Sequence, residues 1–126
     1  MQKQLICPER VREVPRQFSW VDQRLVREGL MRGQSAEALS LYLFLLVVGD
    51  NQGLSYYSDS SVCSHLSLTP VSLKAARAQL DGAGFIAYQK PLYQVLSLDK
   101  IHEVRRKRGS GELTTIAQIL AKAAQA

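Results

Sequence analysis

The chain has 126 residues, 46% of them hydrophobic and 21% charged, which suits one folded domain with its own core and excludes wholesale disorder. Two cysteines, Cys7 and Cys63, lack metal-ligand spacing, which excludes a disulfide framework and a cysteine-built zinc site. The net charge of +5 favours a polyanionic partner. The start lacks a signal-peptide pattern and the densest apolar run is too short to cross a bilayer, so we expect a soluble cytoplasmic protein.

The positive charge is concentrated in the two ends of the chain. Residues 1–32 carry a net charge of +3, residues 33–100 carry −1, and residues 101–126 carry +3. We therefore divide the chain into a basic N-terminal arm over 1–17, one folded domain over 18–100, and a basic linker with an amphipathic helix over 101–126.

The first predicted elements are an extended arm and a short helix. Pro8 and Pro15 lie in a stretch without hydrophobic periodicity, which indicates extended structure. Ser19 is a plausible N-cap, and a helix from about Trp20 to Met31 follows it.

The next helix is predicted to be the centre of the core. Ser35 is its N-cap, and the run from Leu39 to Val48 is apolar nearly all round, which is typical of a helix buried on most faces. The turn containing Gly53 ends this element. Residues 54–57 then form a short strand candidate, because aromatic residues favour a pleated surface.

Two short helices joined by a tight turn are predicted between Ser58 and Gly84. Ser58 can cap the first helix and Thr69 the second, which has Pro70 at its first position, where the missing N–H costs nothing. Gly84 accepts the positive φ that ends such a helix. This pattern predicts a helix-turn-helix. The side chains expected to face the core are Val62, Leu66, Val71, Leu73, Ala76 and Leu80.

A β-hairpin is predicted directly after Gly84. The runs 85–89 and 92–98 have β-type composition and are separated by the turn Lys90-Pro91. Tyr88 and Tyr93 suit cross-strand packing, and residues 54–57 can supply a third strand. The expected fold class is therefore mainly α with a small β-hairpin wing (α+β), in the element order of a winged helix-turn-helix.

The C-terminal part combines a basic cluster with an amphipathic segment. Four basic residues at 105–108 precede the glycine joint 109–111. Residues 112–126 are rich in alanine, and their apolar residues recur at helical spacing. We expect this helix to pack on its own domain, to pair with a second copy, or to bind a protein partner. Its apolar stripe consists of Leu113, Ile116, Ala117, Leu120 and Ala124.

Residues 35–98 resemble the bacterial winged-helix DNA-binding superfamily. They are most similar to the winged helices of plasmid and phage replication initiators and of proteins that accompany mobile elements. The segments that carry the resemblance are Ala38-Leu-Ser-Leu-Tyr42, Gly53, Ser58-Asp59, Leu66-Ser-Leu-Thr-Pro-Val-Ser-Leu73 and Leu80-Asp-Gly-Ala-Gly-Phe-Ile86. The sequence departs from the family at Ser67, a turn position at which glycine is usual.

The resemblance implies that the helix after the turn enters the DNA major groove and that the hairpin lies along the adjacent backbone. Short and basic side chains outside the apolar stripe of that helix suit phosphate and base-edge contacts. The basic cluster would add affinity that depends on salt and not on sequence. The candidate DNA-binding residues are Thr69, Ser72, Lys74, Arg77, Lys90, Arg105, Arg106, Lys107 and Arg108.

The inventory of catalytic residues is poor. The chain has two histidines, and it contains no phosphate-binding, dinucleotide-binding or metalloprotease motif. We therefore expect neither an enzyme nor a protein with a metal or organic cofactor. The predicted function is binding of double-stranded DNA by a regulator or by a replication or mobile-element accessory factor, with a homodimer as one plausible state. The alternative is a winged-helix module for protein–protein assembly without specific DNA binding, which the −1 charge of residues 33–100 favours.

Overall fold

The computed structural model describes residues 2–110, which contain five α-helices and a three-stranded antiparallel sheet. This arrangement confirms the predicted mainly helical α+β class. None of the helices within the described range is long and apolar enough to span a membrane. The elements are a 3₁₀ turn at Pro8–Arg10, α1 at Arg24–Arg27, α2 at Ala36–Val48, β1 at Leu54–Tyr56, α3 at Asp59–Leu66, α4 at Pro70–Gly82, β2 at Ile86–Gln89, β3 at Leu92–Val95 and α5 at Ile101–Ser110.

Helix α2 is the central element of the core, as expected. The Ser35 hydroxyl accepts a hydrogen bond from the Ala38 backbone N–H at 3.1 Å and caps its first turn. Leu41 and Leu45 are fully buried. One stripe is open, because Leu43 and Val47 remain 58% and 60% exposed. The other apolar residues from Leu39 to Val48 are buried or half-buried, so the expectation that α2 is buried on most faces is confirmed except along this stripe.

The first helix is much shorter than predicted. Helix α1 forms a single turn, and Ser19 does not cap it, since the Ser19 hydroxyl donates to the carbonyl of Val47 at 3.2 Å. The Asp22 carboxylate instead accepts a hydrogen bond from the Arg24 backbone N–H at 2.9 Å. Gly29, with φ of +66°, then turns the chain out of the helix.

Helices α3 and α4 follow one another across the turn at residues 67–69. The Thr69 hydroxyl accepts from the Ser72 backbone N–H at 3.1 Å and caps α4. Ser67 adopts the left-handed conformation, with φ of 55° and ψ of 42°. The serine therefore takes a backbone conformation that favours glycine, and the departure from glycine does not change the kind of turn.

The core-facing residues of α3 and α4 are as predicted with one exception. Val62, Leu73, Ala76 and Leu80 are buried, and Leu66 packs against the core. Val71 is 78% exposed, so its assignment to the core is wrong. At about 100° per residue, Val71 lies about 180° from Leu80 and therefore on the face of α4 opposite the apolar stripe that packs on α2.

The sheet has the strand order β1-β3-β2, so β1 pairs with the outer side of the hairpin as expected. Tyr88 lies opposite Tyr93 in the register of β2 and β3, and their ring centroids are 4.6 Å apart. Gly53 precedes β1 at a point where a Cβ atom would lie 2.7 Å from the Val95 carbonyl oxygen. Only glycine fits this close approach of two backbones.

Residues 101–110 form a helix, α5, where the sequence analysis placed a linker. Ile101 is buried at 3% exposure and joins the core, which anchors the start of the helix. The side chains of His102 and Glu28 meet at 2.7 Å. The predicted amphipathic helix at 112–126 lies outside the described residues.

We predict that Ser67→Gly raises the free energy of unfolding by about 0.5–1 kcal/mol, because it relieves the strain of a left-handed serine at a small cost in unfolded-state entropy. Urea denaturation measures this change. The matched control is Ser64→Gly, within α3, which should lower the free energy of unfolding by about 0.5 kcal/mol. A loss of stability in both variants would contradict the prediction.

Candidate nucleic-acid interface

The N-terminal half of α4 and the β2–β3 turn contribute the exposed candidate residues. Thr69, Lys74 and Lys90 are exposed, and Ser72 is half-buried. The Thr69 hydroxyl also donates a hydrogen bond to the Ser72 hydroxyl at 3.0 Å. The two hydroxyls therefore hold each other in place at the N-terminal end of α4, where the helix dipole favours negative charge.

Lys74 in α4 and Lys90 in the β2–β3 turn both lie near Asp59, the first residue of α3. Hydrogen bonds from Arg77 lower the pKa of the Asp59 carboxyl group, and the charges of Lys90 and Lys74 lower it further. Both lysines thus lie close enough to act on one carboxylate. We call the surface formed by Thr69, Val71, Ser72, Lys74 and Lys90 the lysine surface.

Val71 was predicted to face the core, and it is an apolar member of this surface. Val71 is exposed, and the exposed residues Ala75 and Ala78 follow it at helical spacing on the same face of α4. A face built from such small side chains allows close approach of a ligand to the helix. The signal was present in the sequence, since the helical period of about 100° per residue places Val71 on the face opposite Leu73, Ala76 and Leu80.

Arg77 was predicted to contact DNA, and the structure instead places its guanidinium inside the protein. The side chain is only 13% exposed. Its Nη1 donates to the Asp59 carboxylate at 2.8 Å and to the Tyr93 hydroxyl at 2.9 Å. The guanidinium carbon lies 4.2 Å from the centre of the Tyr88 ring. The prediction of an exposed Arg77 is therefore wrong, because partners from α3 and the hairpin enclose it.

The enclosure of Arg77 does not neutralise it. Burial lowers the pKa of its guanidinium, but the hydrogen bonds with Asp59 and Tyr93 outweigh burial and raise that pKa overall. Arg77 is therefore a cation at every accessible pH and pairs with Asp59 as an ion pair. Its contacts therefore join α4, which carries Lys74, to the start of α3 and to the hairpin, whose turn contains Lys90.

Arg105 was also predicted to contact DNA, and its side chain instead bonds to backbone carbonyls of the protein. Its Nε donates to the carbonyl of Ala83 at 3.1 Å and its Nη2 to the carbonyl of Leu30 at 3.4 Å. The guanidinium carbon lies 5.0 Å from the centre of the Phe85 ring. Ala83 is the C-cap residue of α4, so Arg105 satisfies a backbone acceptor where the helix dipole favours a cation.

The remaining basic residues of the cluster lie at the far end of α4 from the lysine surface. Arg106 and Lys107 are exposed on α5, next to the residue that caps the C-terminal end of α4. The 13 residues of α4 span about 20 Å. The side chain of Arg108 lies outside the described part of the structure. The fold thus brings Thr69, Ser72, Lys74 and Lys90 together and separates them from the basic cluster.

A second surface feature is an apolar groove between α1 and α2 with a volume of about 830 Å³. Its lining comes from the open face of α2 and from residues 21–31. It contains no arrangement of titratable groups suited to catalysis. Among residues 2–110, no group of three His, Cys, Asp or Glu side chains is placed to hold a metal ion.

Comparisons with protein-family models, with curated proteins and with solved structures found no match to this chain. The functional proposal is therefore drawn from the geometry and chemistry of the residues described above.

We predict that Arg77→Met lowers the free energy of unfolding by about 2 kcal/mol, because methionine keeps the apolar stem and removes the hydrogen bonds to Asp59 and Tyr93. The measurement is urea denaturation at pH 7. Lys74→Met, on the exposed side of the same helix, is the matched control and should change stability by less than about 0.5 kcal/mol. Equal stability of the two variants would show that the Arg77 contacts add nothing.

The Asp59–Arg77 pair should also make stability depend on pH in a defined direction. The folded-state pKa of Asp59 lies below its ordinary value of 3.8, so its stabilisation is complete well above pH 3.8 and is lost as the pH falls through the folded pKa. We expect the stability difference between wild type and Asp59→Asn to shrink between pH 7 and pH 3 in urea denaturation. The control is the same comparison in an Arg77→Met background, where a difference that shrinks equally would assign the effect to another group.

Proposed function

We propose that this protein is a winged helix-turn-helix protein that binds duplex DNA through the lysine surface. The N-terminal end of α4 enters the major groove, and the β2–β3 turn lies against the adjacent phosphate backbone. The observation that supports this most directly is that Arg77 bonds α4 to Asp59 and to the hairpin, while Lys74 in α4 and Lys90 in the β2–β3 turn both lie near enough to Asp59 to lower the pKa of its carboxyl group. Two lysines near one carboxylate can contact neighbouring phosphates of a duplex.

The charge balance of this surface favours an anionic ligand despite the acidic residue within it. A carboxylate at Asp59 would repel phosphates if it stood alone. Arg77 pairs with it at 2.8 Å, so its charge is compensated and Lys74 and Lys90 supply the net positive charge. The N-terminal end of α4 adds the positive end of its helix dipole.

The exposed apolar residues of α4 suit the floor of a major groove. Each thymine presents a methyl group there, and small apolar side chains form favourable contacts with it. Val71 has no partner in the core and projects from the first turn of α4, the part of a recognition helix that comes nearest to the base edges. We assign sequence preference to Val71 and its neighbours, and backbone affinity to the two lysines.

The biological setting we propose is that of a regulator or of a replication or mobile-element accessory factor, which follows from the resemblance of residues 35–98. The small number of basic residues on the lysine surface implies modest affinity for one copy. Two phosphate contacts correspond to a log–log salt slope of about −2 on duplex DNA.

We predict that Lys74→Ala and Lys90→Ala each reduce the salt slope of duplex binding by about 0.9, because each removes one phosphate contact. Fluorescence anisotropy of a labelled random-sequence duplex, titrated with the full chain at several salt concentrations, measures the slope. Lys107→Ala is the matched control, since it removes the same charge at the far end of α4. Its slope should equal that of the wild type.

Two results would overturn this proposal. A slope that falls with Lys107→Ala and not with the other two variants would move DNA contact to the basic cluster on α5. Absence of binding by the wild type at low salt would favour the alternative function, a protein–protein assembly module. The apolar groove between α1 and α2 supports that alternative, because exposed apolar surface of this kind is typical of interaction sites.

A further inference from the structure

Several apolar side chains that line the groove between α1 and α2 are largely exposed to solvent. Val26 is 75% exposed, Leu43 is 58% exposed and Val21 is 54% exposed. Met31, Leu39 and Leu46 complete its apolar lining. Single exposed apolar residues are common on protein surfaces, but a continuous groove of them indicates a surface that another element covers.

The path of α5 indicates which element can reach the groove. Asp99, just before α5, pairs with Arg24 at 2.7 Å; His102 meets Glu28 at 2.7 Å; and Arg105 donates to Leu30 at 3.4 Å. Successive turns of α5 therefore contact successive residues of the α1 segment in the same order. Helix α5 thus leads the chain towards the turn that follows Leu30.

That turn adjoins one end of the groove. Met31 lines the groove and directly follows Leu30, and Ala36, at the start of α2, lies at the same end. Ser110 ends α5 about 7.5 Å beyond Arg105 along the helix axis. The chain therefore leaves the described structure beyond a residue that contacts Leu30, which directly precedes Met31 in the lining of the groove.

The sequence that follows has the length and the pattern to fill this groove. Residues 112–126 would form a helix of about 22 Å, and the part of α2 that lines the groove, from Ala36 to Leu46, extends about 15 Å. The apolar residues at 113, 116, 117, 120 and 124 fall on one helical face. Gly109 and Gly111 flank the end of α5, where glycine favours a reversal of the chain.

We propose that residues 112–126 form an amphipathic helix that packs its apolar stripe into the α1–α2 groove of the same chain. A segment tethered this close to its site has an effective concentration of roughly millimolar, so it outcompetes a second copy at ordinary protein concentrations. This packing also covers the surface on which the protein–protein assembly alternative depends. The inference is independent of DNA binding, because the groove lies away from the lysine surface.

Hydrogen–deuterium exchange of the full chain tests this proposal. We expect peptides covering 113–124 to exchange at least about tenfold more slowly than the same peptide free in solution, in a particle with the mass of one chain. Leu43→Asp, in the groove, should bring exchange to within about twofold of the free peptide. Val71→Asp is the matched control, since Val71 is an exposed apolar residue on α4 outside the groove, and it should leave the protection unchanged.

A second pair of variants tests the segment itself and does not alter the folded core. Leu120→Asp changes the predicted apolar stripe and should remove the protection. Gln118→Asp lies on the opposite helical face and should retain it.

Three outcomes would overturn the proposal. Free-peptide exchange in the wild type would show that the segment does not pack. Protection that survives Leu43→Asp would place the segment elsewhere. Protection accompanied by a two-chain mass that falls on dilution would assign the groove to a second copy.

Discussion

The ion pair between Arg77 and Asp59 joins α3, α4 and the hairpin, which together carry the proposed DNA-binding surface. One guanidinium in α4 contacts the first residue of α3, the hydroxyl of Tyr93 in β3 and the ring of Tyr88 in β2. Because an arginine presents its donors in a fixed planar fork, these contacts set the angle between α4 and the hairpin as well as their distance. Removal of the guanidinium would leave a carboxylate and a phenol at this junction without their main partner.

The same pair defines the charge of the proposed DNA-binding surface. Asp59 is the acidic residue on which both Lys74 and Lys90 act, and Arg77 compensates its charge. The arginine thus contributes to an anionic ligand's site without touching the ligand. A basic residue can therefore be essential to a positive surface while it lies beneath that surface, and its role is then measured by stability and not by the salt dependence of binding.

The other half of the molecule is organised by apolar packing and by α5. Helix α2 packs against α3, α4 and the sheet and exposes one stripe, part of which lines the groove. Helix α5 is fixed to the α1 segment by the Asp99–Arg24 ion pair just before it and by the contact of His102 with Glu28, and to the C-terminal end of α4 by Arg105. The lysine surface and the groove therefore lie at different places on one core, so the proposed DNA binding and the proposed packing of the C-terminal segment can be tested with separate variants.

The sequence by itself determined the capped helices and the sheet. Ser35, Ser58 and Thr69 each cap a helix through a hydrogen bond to the backbone three residues later, so the partner is always present in the local sequence. The hairpin and its third strand followed from β-type runs around a turn. Only the tertiary structure decided the short length of α1, the helix at 101–110, and where Arg77 and Arg105 lie. A helical period places a residue on a face, but it does not show what packs over that face. Arg77 bonds to Asp59, which is 18 residues away in the chain, and Arg105 bonds to Leu30, which is 75 residues away. The long flexible side chain of arginine can extend into solvent or bond to a distant residue. Which of the two occurs depends on how the other elements pack around it.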